Sequence, residues 1–431
     1  MNKIIKSTFY SGIAMALLVS TGCKKDYPNP NAASSSQVLS SAKGLMGTAI
    51  GIQRNYSLNI APGSANANGF VTNEIFLRNS GNIPELQLTT GGSAVDGTNA
   101  LLGNIWITAN KCIYDANNVI NGATLLGDKG YASGLIGYSS IIKALSIGTL
   151  SMYWEKVPDT VGTAATVFVD RVQGFNRAIA AIDNALSTIN ANAISAGFLT
   201  NLPAGLDIVN TLNALKARYS LYAGNYAGAL AAANLVDLTK KSTFNYDAAV
   251  SNPVFGAATS TNNLYQPIDS TFGLPVSLAP NLLDKRVPFY TTINTVVNPR
   301  YRLNGFWIAA TTPIPIYFPG EITLIKAECY ARQASTDLVN AVLELNKVVT
   351  KKAANDPLGL GADLAPVAPV TKDDVLLEIY RNRCIEMYIS GLKLEDMRRF
   401  GRDLSERKRN FFPYPFRERD GNSNTPADPA F

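Results

Sequence analysis

The chain is 431 residues long, 46% hydrophobic and 16% charged, with a formal charge of +6 and no histidine. That length can bury a large core as one large or two modest units, and so mild a basic excess gives no argument for nucleic acid. The missing histidine removes Ser-His-Asp and Cys-His arrangements, histidine general bases and every histidine-containing metal site, so an enzyme would have only carboxylates, Lys, Tyr or Cys.

The first segment, MNKIIKSTFYSGIAMALLVSTGC, has Lys3 and Lys6 at its start, an apolar middle from Ile13 to Val19 and small residues Ser20, Thr21 and Gly22 before Cys23. This is the three-part layout of a secretory signal. A cysteine at the cleavage point is what a bacterial lipoprotein needs, because its thiol receives the diacylglycerol. We expect residues 1–22 to be a signal peptide, Cys23 to be lipidated, 23–36 to be anchor and tether, and 37–431 to form one domain. Ser20 stands where a lipoprotein signal usually has Leu. No later segment approaches the roughly 18 uninterrupted apolar residues of a membrane span. With Cys23 acylated, Cys112, Cys329 and Cys384 cannot all pair; they read as buried thiols, with a Cys329–Cys384 bridge left open.

Helical periodicity begins at Val38, Leu39, Ala42, Leu45, Met46, Ile50 and Ile52. Residues 57–99, rich in Gly, Asn, Ser and Thr, read as a long loop, and loops of that length are more often functional than idle. Helices return at LLGNIWITANKCIYDANNVING, with Gly122 at the stop, then at YASGLIGYSSIIKALSIGTLSMYWEKVP and RVQGFNRAIAAIDNALSTINAN. Segments 206–223 and 226–238 meet at Gly224-Asn225, and the spacing of Gly224, Tyr226 and Ala229 is that of a tetratricopeptide-type hairpin. Another hairpin follows at PGEITLIKAECYARQASTDLVNAVLELNKVVTKK, opened by Pro319, with Thr336 capping its second helix and Lys351-Lys352 at its C-terminal dipole. The last begins at Thr371, which forms a capping box with Asp374, and ends at Gly391. Between them, about 242–316 lacks helical period and carries many aromatic residues among Asn, Thr and Pro, as an irregular insertion on a helical scaffold would.

Together these features resemble the SusD/RagB family of outer-membrane nutrient-binding lipoproteins. The most specific match is IYRNRCIEMYISGLKLEDMRRFG, which is similar to that family's C-terminal signature. Arg383, Glu386, Gly391, Asp396, Arg398, Arg399 and Gly401 stand at matching positions, while Lys393, Ser390, Met397 and Phe400 depart from it. IWITANKCIYDANNVI, YWEKVP, DKRVPFY and FFPYPFRERDGN resemble further family motifs in the same order. The resemblance implies a mostly α fold, with tetratricopeptide-like hairpins in a right-handed superhelix and a loop-rich insertion. It also implies capture of a glycan or oligopeptide at the cell surface, as the lid of a TonB-dependent outer-membrane transporter, with no cofactor and no catalysis. A tetratricopeptide-type scaffold lipoprotein assembling envelope complexes is the alternative, and the long aromatic loops argue against it. Lys24-Lys25-Asp26 offers only one acid after the lipidated Cys, so surface exposure follows from the transporter role.

Glu386, Glu395 and Asp396 lie among arginines, which invites a catalytic reading, but Arg383 and Glu386 at i,i+3 read better as structural ion pairs. Trp106 and Trp154 read as packing. Trp307, with Tyr301, Arg302 and Asn304 in NPRYRLNGFW, has two readings of equal weight: a stacking platform for a sugar, or an anchor for the insertion. Phe76, Arg78 and Asn79 in EIFLRNSGN form a similar aromatic-Arg-Asn cluster, and Tyr265 in TNNLYQP is a further candidate. The expected ligand site is therefore Phe76, Arg78, Asn79, Tyr265, Tyr301, Asn304 and Trp307, between the two loops.

Overall fold

The computed structural model describes residues 38–163, 165–260, 263–296 and 298–431. The expected signal, Cys23 and its tether lie outside the described residues. The first helix, α1 (Ala42–Asn55), is capped by Ser41, whose hydroxyl accepts from the Gly44 amide at 3.1 Å. Its Leu45, Met46, Ala49 and Ile52 are buried.

The expected loop over 57–99 is largely helical instead. A π-helical turn at Tyr56–Ile60 carries the helix onward into α2 (Ala61–Val71), and β1 (Ile75–Leu77) and α3 (Ile83–Thr90) follow. The small and polar residues that suggested a loop are the contact face of α2: Ser64, Ala65, Ala67, Asn68 and Gly69 are all buried. A methyl group on Gly69 would stand 3.0 Å from Ile75 Cδ1, so small size here reflects close packing and not solvation.

Long helices follow as the periodicity indicates: α4 (Ala100–Thr124), α5 (Lys129–Tyr153), α6 (Arg171–Ala191), α7 (Ile208–Tyr222) and α8 (Tyr226–Asn234). Each packs on the next, α1 packs on α4, and α8 hands the stack to α10 (Pro319–Arg332), which pairs with α11 (Leu338–Val349) and α12 (Lys372–Glu386). The result is the mostly helical, hairpin-built architecture expected. By length and composition α5 could cross a membrane, yet 94% of its apolar window is buried, which makes it the central core helix. Its Gly148 lets Tyr219 of α7 approach, since a Cβ there would fall 2.3 Å from that ring. Gly224 takes φ of 77° at the α7–α8 turn, a conformation glycine adopts without strain.

The insertion is irregular, as expected, and is secured by short antiparallel ladders. Within or onto it, β4 (Thr243–Phe244) pairs with β8 (Ile314–Pro315), β5 (Tyr265–Pro267) with β1, and β6 (Thr291–Ile293) with β7 (Tyr301–Leu303). A short helix, α9 (Arg286–Tyr290), precedes β6. A fourth ladder joins β2 (Lys156–Pro158) and β3 (Phe168–Asp170) between α5 and α6.

The C-terminal signature, α12 followed by α13 (Lys393–Arg399), is a buried ionic framework. Arg383 and Glu386 do not pair with each other. Arg383 Nε donates to Asp396 at 2.9 Å, while Glu386 receives Arg286 at 3.0 Å and Lys351 at 2.6 Å. Both side chains point inward but meet different neighbours. Arg286, from the DKRVPFY motif, also pairs with Asp284 at 2.7 Å and donates to Asn382 at 2.8 Å. Lys351 therefore serves this framework, and not the C-terminal dipole of α11. The cap of α11 is Asp337, whose carboxylate accepts from the Asn340 amide, and not Thr336. Cys112, Cys329 and Cys384 are free, buried thiols. Trp106 and Trp154 pack edge to face in the core, as expected, with Trp154 Nε1 donating to the Pro413 carbonyl.

Candidate functional site

The chain that leads into β1 is held from inside. Glu74 is buried, and its carboxylate accepts from Asn68 Nδ2 at 2.7 Å, Thr72 Oγ1 at 3.2 Å and the Ile389 amide at 3.2 Å. Burial pushes its pKa up, with the Lys393 charge partly opposing. Two residues on, alternation along the strand turns Phe76 outward, 44% exposed between buried Ile75 and Leu77.

β1 lies against β5 in the register Phe76↔Gln266 and Leu77↔Tyr265, and the Arg78 amide extends the ladder to the Leu264 carbonyl at 2.8 Å. β7 is joined to this pair through Gln266. That buried side chain accepts from the Leu303 amide at 3.2 Å and donates to the Ala258 carbonyl. Gln266 is the residue that sequence reading missed, because nothing in Tyr-Gln-Pro distinguishes a splinting glutamine from an exposed one.

The two expected segments thus meet at one edge, where β7 joins the two-stranded β1–β5 ladder through the Gln266 side chain. Phe76, Arg78 and Asn79 stand on β1 and its following turn, with Asn79 Oδ1 accepting from the Gly81 amide at 3.1 Å. Tyr301 on β7 is half-buried, its hydroxyl 3.5 Å from Ser270 Oγ. Beside it Arg302 donates from Nη1 to the carbonyls of Pro299 and Tyr301, at 2.5 and 2.7 Å. Desolvation and the neighbouring charge of Arg78 push the Arg302 pKa down. Asn304 is half-buried just after β7, its amide bonded to the Tyr290 carbonyl at 2.9 Å.

Tyr265 and Trp307 are not open to a ligand. Tyr265 is 0% exposed, with its ring edge-on to Phe70 at 5.8 Å. Trp307 is 3% exposed and stacks on Tyr290 at 5.6 Å, beside Phe306 and Tyr388, which is the anchoring role. It lines an internal cavity of about 70 Å³ with Tyr56, Tyr219, Phe244 and Phe318. A separate open groove of about 500 Å³, between α4 and the residues around Asn422, holds none of the expected site residues.

What this edge can do is bind: it offers one exposed ring, side-chain amides and two guanidiniums. The buried carboxylates of the signature each face a cation and have no open approach, so nothing in their geometry suits glycosidic acid–base work.

The architecture is similar to that of solved SusD superfamily structures. A SusD superfamily protein from Bacteroides vulgatus superposes with a TM-score of 0.68 over 90% of this chain and 99% of its own, at 14% identity. A SusD-like carbohydrate-binding protein from Bacteroides fragilis gives 0.66 over 84% and 87%, at 15% identity. A laminarin-binding SusD-like protein gives 0.61 over 90% and 99%, at 14% identity. No family model matches the sequence, and no curated protein matches it either. The chain therefore has the SusD-like helical fold, as its C-terminal signature led us to expect, at identities where fold alone is conveyed.

Proposed function

We propose that this chain is a nutrient-binding lipoprotein, anchored through Cys23 to the outer membrane and exposed at the cell surface. It captures an oligosaccharide or oligopeptide and delivers it to a TonB-dependent transporter, acting as the lid. The observation that carries the reading is the exposed Phe76 ring on an edge that joins Arg78, Asn79, Tyr301 and Asn304. Sugar C–H faces stack on such a ring while amides and guanidiniums share the hydroxyls. Similarity to carbohydrate-binding and laminarin-binding proteins of the same fold supports a glycan over a peptide. A bare scaffold for envelope complexes would have no need of an insertion that builds this edge.

The test is calorimetric titration of the soluble form starting at Lys24 against oligosaccharide and oligopeptide panels, repeated with Phe76→Ala. We expect saccharide binding in the parent chain and a loss of about tenfold or more in the variant. Saccharide binding that Phe76→Ala leaves unchanged would move the site away from this edge.

A further inference from the structure

We propose that the ligand of this edge is an acidic oligosaccharide, whose carboxylate or sulfate is held by Arg78 and Arg302. The proposal rests on reading the edge as the binding site, and it narrows the ligand class.

Among the described residues, neither arginine forms an ion pair, although Arg218, Arg286, Arg383 and Arg399 each end on a carboxylate. The local carboxylates are committed elsewhere. Glu74 is turned inward to Asn68 and Thr72, and Asp269 caps its own turn by accepting from the Thr271 amide and hydroxyl at 2.7 and 2.6 Å. Glu85, on α3, makes no ion pair with either arginine, and burial pushes its pKa up. The β1–β5 register and the Leu303–Gln266 hydrogen bond bring Arg78 and Arg302 to the same edge, and with neither paired to a carboxylate among the described residues they form a local surplus of positive charge.

Arg78 Nη1 is buried without an acceptor, so an anion would be met by the rest of its half-buried guanidinium. Arg302, by contrast, is steadied by two carbonyls through Nη1. A planar guanidinium fork matches a carboxylate or sulfate in two parallel hydrogen bonds, whereas a neutral sugar hydroxyl satisfies one donor and leaves the charge unmatched. The Phe76 ring on the same strand supplies the apolar face that a pyranose stacks on.

The proposal is tested on the soluble chain from Lys24 by calorimetry with tetragalacturonate, a sulfated chondroitin tetrasaccharide, neutral laminaritetraose and tetraglutamate. Parent, Arg78→Gln and Arg302→Gln chains are compared, after thermal melts show that the variants fold. We expect at least one acidic saccharide to bind more tightly than laminaritetraose. Its affinity should fall about 10- to 100-fold in each variant, the worth of a charged hydrogen bond, and should weaken with added salt. Laminaritetraose binding best, with Arg78→Gln neutral, overturns the acidic ligand while leaving the edge as a saccharide site. Binding of tetraglutamate alone overturns the saccharide class. Failure of all four probes to bind overturns the proposal together with the reading beneath it.

Discussion

Gly320 gives the sharpest test of the ionic framework. It lies in the first turn of α10, where alanine would ordinarily be favoured by about 1 kcal/mol. Here the added Cβ would fall 1.9 Å from Glu386 Oε1 and 2.5 Å from its Cδ. Oε1 is the atom that accepts from Lys351 at 2.6 Å, and Oε2 holds Arg286 at 3.0 Å. Glu386 is 0% exposed, so it cannot swing into water. Gly320→Ala must therefore displace the carboxylate from at least one cation, and breaking a buried pair costs about 3–5 kcal/mol. Less the helical gain, we expect a net loss of about 2–4 kcal/mol. Gly103 in α4 is the control, because a Cβ there meets nothing within 4 Å. Gly103→Ala should stabilise by about 0.5–1 kcal/mol. Urea unfolding followed by circular dichroism, with thermal melts alongside, reads both variants. A Gly320→Ala protein as stable as the parent, or more so, would refute the assignment of Glu386 to a tight buried framework.

Two further outcomes follow from burial. Burial pushes Cys112, Cys329 and Cys384 up to about 12, so the folded soluble chain from Lys24 should resist a thiol-specific chromogenic reagent and release all three thiols only in denaturant. Rapid labelling of the native protein would contradict this. Tyr56, Tyr317 and Tyr414 are likewise pushed up to about 12, against about 10 in an unfolded chain. Between those values the native state keeps protons that the unfolded state has lost, so their contribution is present below about pH 10 and is lost as pH rises towards 12. Urea midpoints should fall across that window, and tyrosinate absorbance should lag in the folded protein; full ionisation without unfolding at pH 11 would be inconsistent with their burial.

The helical scaffold was legible because its signals are local. Apolar periodicity marked α4, Gly224 marked the α7–α8 turn, and Thr371 caps α12 as expected by accepting from the Asp374 amide, although its own hydroxyl and not its backbone amide donates to the Asp374 carboxylate. Residues 57–71 were illegible for a physical reason: Gly, Ser, Asn and Ala serve equally in a solvated loop and on a helix face pressed against neighbours, and only tertiary contact separates the two. The site was half-legible. Residue type singled out Phe76, Arg78 and Tyr301, which the structure brings to one edge, but aromatic character does not report burial, so Tyr265 and Trp307 looked like equals of Phe76. In the structure both are buried, Tyr265 against Phe70 and Trp307 against Tyr290. Ion partners were also out of reach, since Arg383 and Glu386 choose residues 13 and 100 positions away over each other.

The motif that the sequence shows most plainly thus lies under the candidate site and not in it. Lys393, at the place where the signature usually has Arg, sends its ammonium to the Thr72 and Phe272 carbonyls at 3.1 and 2.7 Å, fastening the approach to β1 and the turn after β5 to one helix. Tyr388 donates to the Glu74 carbonyl at 2.8 Å, and Tyr290 to the Glu386 carbonyl at 2.6 Å. Arg286 carries the same connection from the insertion into the signature. A ligand-binding edge made of short ladders would be mobile if left alone, because two- and three-residue strands contribute little stability of their own. Buried charges and tyrosine hydroxyls anchor the candidate edge and the insertion to α12, α13 and the turn between them. Clustered carboxylates and arginines in the signature are therefore explained by the rigidity they give to the candidate edge, with no catalytic task required of them.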